Sequence, residues 1–235
     1  PFPRWLNEKI WVAESALTPE DVYWGAALAA CEMIRSGTVA FNDHYFYMDR
    51  VAEVARQSGM KAALAWCVFG IGPEAEIGPG LEGPVEWIRG TPDTADGRIR
   101  TFLGPHSPYI CPPDFLRRIV ELAHELGQGV HIHLSEDEQQ VAQSVEQRGL
   151  RPVQFVDSLG LLDVPGGVVA AHCLALDGRD REILAAKGVH VAHCPITYMK
   201  LAMPFPPLRA RLEAGVEGCL GTNRPGAHPD MDLFA

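Results

Sequence analysis

The sequence has no C-x-x-C pair, no surplus of basic residues, and no apolar run near the roughly 18 residues that a membrane-spanning helix needs. Each absence removes a class of function. Six cysteines, at 31, 67, 111, 173, 194 and 219, stand alone, which excludes zinc-ribbon and thioredoxin-like sites. They are too sparse for a disulfide scaffold and most lie in apolar runs. They are therefore expected to be reduced, small core residues of a cytoplasmic protein. Asp plus Glu number 30 against 20 Lys plus Arg, a formal net charge of −10. Such a chain lacks the basic surface that displaces phosphate counterions, so nucleic acid is not an expected partner. The same balance argues against docking on an anionic membrane. Pro1-Phe2-Pro3-Arg4-Trp5 has no basic segment leading into an apolar one, so it does not read as a signal peptide. The missing initiator Met points to a piece of a longer chain.

What is present is ordinary globular composition: 235 residues, 47% hydrophobic and 21% charged. Thr18-Pro19-Glu20-Asp21 opens a helix, with a capping hydroxyl, proline at the first position and acids at the positive dipole end. The helix ends at Ser36-Gly37. A short strand, 38–41, runs into Asn42-Asp43-His44, and a helix over 49–57 follows. The unit then recurs, with strands predicted at 61–67, 99–103, 130–134, 168–171, 189–192 and 216–220. Helices are predicted at 113–126, 136–148, 178–187 and 207–214. The Gly- and Pro-rich stretch 70–84 reads as an active-site loop, and 93–97 as a turn. Gly70-Ile71-Gly72-Pro73-Glu74-Ala75 matches a loose dinucleotide pattern, but Pro73 and Ile77-Gly78-Pro79-Gly80 forbid the helix that would hold a pyrophosphate.

Alternating strands and helices imply a parallel sheet covered on both faces. An open doubly wound sheet and a (β/α)8 barrel both satisfy that pattern. The polar residues favour the barrel, because Asp43, His106, His133, His172, His193 and Asn223 all fall at or just past strand C-termini. In a barrel those ends converge on one mouth. Seven strands do not close an eight-strand barrel, so the expected architecture is an α/β (β/α)8 barrel without its first strand. Residues 1–235 then form one barrel domain, incomplete at both ends.

His131 and His133 are two apart and share one strand face; Glu136 follows where the strand breaks. A single strand histidine is usually a satisfied core residue. Five further strands ending in His, Asn or Asp shift the balance toward Zn²⁺ or Fe²⁺ chemistry, with a carboxylate moving the proton of a metal-bound water.

Five motifs occur in order: Gly104-Pro105-His106-Ser107-Pro108-Tyr109, His131-Ile132-His133-Leu134-Ser135-Glu136, Ala170-Ala171-His172-Cys173, His193-Cys194-Pro195 with Lys200-Leu201, and Leu220-Gly221-Thr222-Asn223 with Asp230-Met231-Asp232. With Trp5-Leu6-Asn7-Glu8-Lys9-Ile10-Trp11 and Met33-Ile34-Arg35-Ser36-Gly37-Thr38, they resemble the amidohydrolase superfamily. Within it they resemble the branch of methylthioadenosine/S-adenosylhomocysteine deaminases and triazine hydrolases.

The resemblance implies a divalent zinc or iron ion, one per site, with His133 and Asn223 as ligands. Glu136 would shuttle a proton from the metal-bound water to the leaving amine. His172 would position the water and stabilise the tetrahedral intermediate. His106 and Glu14 would contact substrate, while His131 and His193 would pack behind the site.

Departures from the pattern are specific. The superfamily's first-strand H-x-H pair is absent, as is its small β-sandwich. Asn223 stands where the family has an aspartate that binds metal and acts as general base, and an amide cannot take up a proton. Thr197-Tyr198-Met199 replaces a Ser-Asn pair, and Trp66-Cys67-Val68-Phe69 stands where an arginine is expected. The expected function is metal-dependent hydrolytic deamination or dechlorination of a purine-like or triazine-like ring, with a small aromatic heterocycle as partner and self-association into a homo-oligomer compatible with it. The alternative is a degenerate, non-catalytic barrel that binds a ligand or partner. A small zinc-type base deaminase is excluded by the missing C-x-x-C.

Overall fold

The computed structural model describes residues 6–70, 80–91, 95–206, 208–223 and 230–233. Seven strands are found among them: β1 (Ala40–Tyr45), β2 (Lys61–Val68), β3 (Ile99–Pro105), β4 (Gly129–Leu134), β5 (Val168–His172), β6 (His190–His193) and β7 (Gly218–Leu220). They form one sheet in sequence order, every neighbouring pair parallel. The helices are α1 (Trp11–Glu14, entered through a π-helical turn at Leu6–Ile10), α2 (Pro19–Arg35), α3 (Met48–Ser58), α4 (Glu82–Gly90) and α5 (Pro113–Leu126). They continue as α6 (Glu138–Arg148), α7 (Pro152–Ser158), α8 (Gly178–Ala186), α9 (Pro195–Lys200) and α10 (Leu208–Glu213).

Local chemistry sets the helix starts. Thr18 and Asp21 form a reciprocal capping box at α2, with Pro19 inside it. Asp177 and Asp180 do the same at α8, and Asp137 caps α6. Glycines in left-handed conformation close α3, α5 and α6 at Gly59, Gly127 and Gly149.

Strand alternation then sorts the core. Val130, Ile132 and Leu134 of β4 join Ala170 of β5 and Val191 of β6 in one buried cluster with Leu116 and Ile119 of α5, Val156 of α7 and Leu184 of α8. That cluster lies between sheet and helices. Each buried aliphatic side chain in it contributes roughly 1.5–3 kcal/mol of transfer free energy. The opposite parity of β4, His131 and His133, therefore faces inward. Inside, the His44 ring of β1 lies 4.8 Å from that of His131 and 5.0 Å from that of His133. In a flat sheet β1 and β4 would be about 14 Å apart, since adjacent strands are spaced by about 4.8 Å. The sheet is curled into a half-barrel wall. Its far ends approach as well, because the Met231 amide donates to Glu32 Oε2 of α2 at 3.2 Å.

Differences from the sequence expectation are local. β1 runs on through Tyr45, so Asn42, Asp43 and His44 are strand residues. α4 occupies part of the stretch expected to be loop, with Pro84 tolerated in its first turn. α7 and α9 are additional short helices. Residues 71–79 of the expected active-site loop, with nearly all of the dinucleotide-like pattern, and 93–94 of the expected turn lie outside the described residues. No helix among the described residues is long and apolar enough to cross a membrane.

Candidate active site

The inner face carries a run of imidazoles from four strands. His106, just past β3, stacks on His133 of β4 at 4.6 Å between ring centroids, and His133 stacks toward His172 of β5 at 5.5 Å. His44 closes the group from β1. Gly104 makes that contact possible, since a Cβ there would stand 2.5 Å from the Trp66 carbonyl oxygen and 3.0 Å from His44 Cδ2. His44 Nε2 lies 3.0 Å from the Gly104 carbonyl, so Nε2 carries the proton and Nδ1 the lone pair. Burial and the neighbouring imidazoles hold His44 well below the usual histidine range, and burial first, then His133 and His172, pulls His131 down to about 3. Both rings are neutral.

His133 Nδ1 lies 2.9 Å from the His106 carbonyl oxygen. That acceptor fixes the proton on Nδ1 and leaves Nε2 as a lone-pair donor, the arrangement found in metal-binding histidines. His172 Nε2 lies 3.5 Å from Glu136 Oε1, and both residues are buried. Gln140 holds the other carboxylate oxygen, donating to Glu136 Oε2 at 3.3 Å. The backbone is strained here: Ser135, His172 and Cys173 have φ of 49°, 75° and 50°. The conformation is held where the Cys173 amide donates to Leu134 and the Leu174 and Ala175 amides donate to Ser135, each at 3.0 Å.

The short helix α1 lies over the β1–β3 side. Trp11 meets Phe69 and His106 edge-on at 6.2 and 6.5 Å, and the buried Glu14 accepts a 2.9 Å hydrogen bond from the Tyr45 hydroxyl. Asn223 follows β7 at the same end of the sheet, exposed, with φ of 60°. Among the described residues its side chain makes no hydrogen bond. His193 faces the helix layer beside Tyr198, whose hydroxyl accepts from the Cys194 amide. The structure thus brings His106, His133, Glu136 and His172 together, sets Glu14 at one side and leaves Asn223 at the rim. Sequence reading missed His44 and Tyr45. The period-2 register Ala40, Asn42, His44 was the available signal, hidden by ending the strand too early.

The chain matches the amidohydrolase family over residues 1–232. It is a member of the amidohydrolase family. A 5-methylthioadenosine/S-adenosylhomocysteine deaminase of Dictyoglomus thermophilum is 45% identical over 235 residues, covering 100% of this chain and 54% of that protein. The protein of that name from Pelotomaculum thermopropionicum is 44% identical, with 53% of it covered. Among solved structures, a zinc-bound adenosine deaminase of Xanthomonas campestris superposes with a TM-score of 0.89 at 34% identity, over 100% of this chain and 53% of that one. A zinc-complexed atrazine chlorohydrolase of Arthrobacter aurescens shares the fold at 20% identity, TM-score 0.84. The chain spans about half the length of these relatives, and its curled sheet is a partial TIM barrel of the amidohydrolase fold.

Zinc, present in those two structures, fits this amidohydrolase in part. The tautomer of His133 presents Nε2 as a ready ligand. Among the described residues, however, no three His, Cys, Asp or Glu side chains are grouped to hold a metal, whereas catalytic zinc sites have three protein ligands plus water.

Proposed function

We propose that this amidohydrolase barrel serves the hydrolytic removal of the exocyclic amine from a purine-like ring, with water and an aminopurine giving an oxopurine and ammonia. The observation that carries the reading is the buried Glu136–His172 pair at 3.5 Å beside His133, whose Nδ1 is engaged by a backbone carbonyl. The 45% and 34% identical relatives, named as deaminases of adenosine compounds, favour amine over chloride as the leaving group.

In this reading His133 and Asn223 are the residues of this chain that would hold a divalent zinc or iron ion. Such an ion lowers the pKa of a bound water to about 7. Glu136 takes the proton of the attacking water and delivers it to the departing amine, its carboxylate oriented by Gln140. His172 faces Glu136 and stabilises the oxygen that adds to the ring. His106 and Glu14 contact the substrate on the β1–β3 side. Asn223 offers a carbonyl oxygen and no base. Loss of a positioned base costs roughly 10²–10⁴ in rate.

The test is ammonia release from 5-methylthioadenosine and adenosine by the zinc-supplemented chain, compared with Glu136→Gln. Release by the wild type, reduced at least about 100-fold in Glu136→Gln, is the expected result. Asn223 favours a second reading, a barrel that binds the nucleoside without turnover. Stoichiometric binding with no ammonia, zinc present, would establish that reading instead.

A further inference from the structure

Glu136 and His172, the reacting pair of the proposed function, stand on two strained turns. Ser135, directly before Glu136, has φ of 49°, His172 itself 75° and Cys173 50°. Residues with a Cβ keep such angles only where the surroundings over-determine them. One carbonyl joins the two turns, since Ser135 O accepts from the Leu174 and Ala175 amides, each at 3.0 Å. That junction has an outer fastening. Arg151, the residue before α7, donates through Nη2 to the Ala175 carbonyl at 2.8 Å and through Nε to Asp180 Oδ2 at 2.7 Å. Asp177 Oδ2 lies 3.1 Å from the same Nε. Asp180 is fully buried and also accepts from the Gln154 side-chain amide at 3.4 Å. Ala175 is thereby held twice, its amide by Ser135 and its carbonyl by Arg151.

We infer that Arg151 is a positioning residue, which through Ala175 and Ser135 keeps the His172 imidazole facing the Glu136 carboxylate. The inference rests on the proposed assignment of Glu136 and His172 as the reacting pair. An ion pair that only fastened α7 to α8 would need no donor on Ala175. Lys187 supplies that contrast: past the far end of α8, it meets Asp157 at 3.2 Å and Asp163 at 2.6 Å. Arg151 instead spreads a rigid planar fork over a carbonyl and two carboxylates, which a lysine ammonium on its flexible stem cannot reproduce. Lysine at 151 keeps a cation for the buried Asp180 and gives up the tie to Ala175.

The experiment compares the full chain with Arg151→Lys and Lys187→Met by NMR of ¹⁵N-labelled histidine, urea denaturation and zinc-supplemented ammonia assays on adenosine. The His172 imidazole signal is identified by its loss in His172→Gln. Arg151→Lys should shift or broaden that signal and lower kcat about tenfold or more, with KM within about twofold, because misplaced reacting groups cost rate rather than affinity. Lys187→Met should lower the urea midpoint and leave the His172 signal and kcat unchanged. An unmoved His172 signal in Arg151→Lys, an equal shift in Lys187→Met, or a raised KM with unchanged kcat overturns the inference. Where Arg151→Lys does not fold, Arg151→Met combined with Asp180→Asn leaves no buried charge unmatched and takes its place. If that variant is unfolded as well, Arg151 serves the fold and not the pair, and the inference falls. The imidazole signal is read without turnover, which keeps the two proposals apart. A moved His172 with no ammonia from the wild type leaves Arg151 in its role and removes the deaminase, whereas ammonia release with an unmoved His172 does the reverse.

Discussion

Single residues in this barrel carry charges that their surroundings do not match. Arg211 of α10 is 3% exposed, and among the described residues its Nε and Nη1 are buried with no hydrogen-bond partner. It leans toward Gly218 on the outer face of β7, in a layer shared with His193. A buried guanidinium with unsatisfied N–H groups is costly, and a similar-sized apolar side chain removes the cost. Arg211→Met is expected to raise stability by about 1–3 kcal/mol in urea denaturation; a lower midpoint would show that the guanidinium is satisfied in solution. Asp43 of β1 is pushed up to about 6 by burial. The folded carboxyl therefore keeps its proton to higher pH than the unfolded one, near 3.9. Stability falls as pH rises between those values, and the penalty is complete above about pH 6. Asp43→Asn should stabilise by on the order of 3 kcal/mol at pH 7 and by less than about 1 kcal/mol near pH 4, measured by denaturation at both. At Asn223 the proposal is opposite in sense. Restoring the carboxylate with Asn223→Asp should increase zinc retention and raise any deaminase rate on the order of 100-fold; no change in either would favour a binding function.

The elements differ in how openly the sequence declares them. Capping signals at Thr18 and Asp177 give the starts of α2 and α8 to within two residues, because a cap is satisfied within one turn. β1 was cut short because Asn42-Asp43-His44 is polar, and polarity reads as a turn. The barrel interior reverses that rule, since inward residues at the mouth are functional rather than apolar. α4 was hidden by Gly83 and Pro84 in its first turn. At the joint of β2 and β3, Gly104 makes a further prediction. Gly104→Ala places a methyl 2.5 Å from the Trp66 carbonyl and against the His44 ring. A loss of about 1–3 kcal/mol is expected, together with broadened or shifted imidazole signals for His44 in NMR spectra. A well-folded variant with an unmoved His44 would show that the strands part easily.

At the scale of the molecule, metal binding is the sensitive property. The proposed ligand His133 has its Nδ1 engaged by the His106 carbonyl, but a catalytic zinc needs three protein donors. Metal analysis after dialysis against buffer should find well under one zinc per chain. Near-stoichiometric zinc would mean that other imidazoles, such as His131 or His44, complete a site. The alternation of strands and helices, their parallel order, the inward H-x-H of β4 and the placement of His106, His172 and Glu136 at strand ends were legible in the sequence, because each follows from local period, capping and turn chemistry. The tertiary structure alone decided that His44 of β1 meets His131 and His133 of β4, that Tyr45 holds Glu14, and that Arg211 is buried with Nε and Nη1 unpartnered among the described residues. These depend on how far the whole sheet curls, a sum of small twists over six strand pairings. No local window of sequence contains that sum.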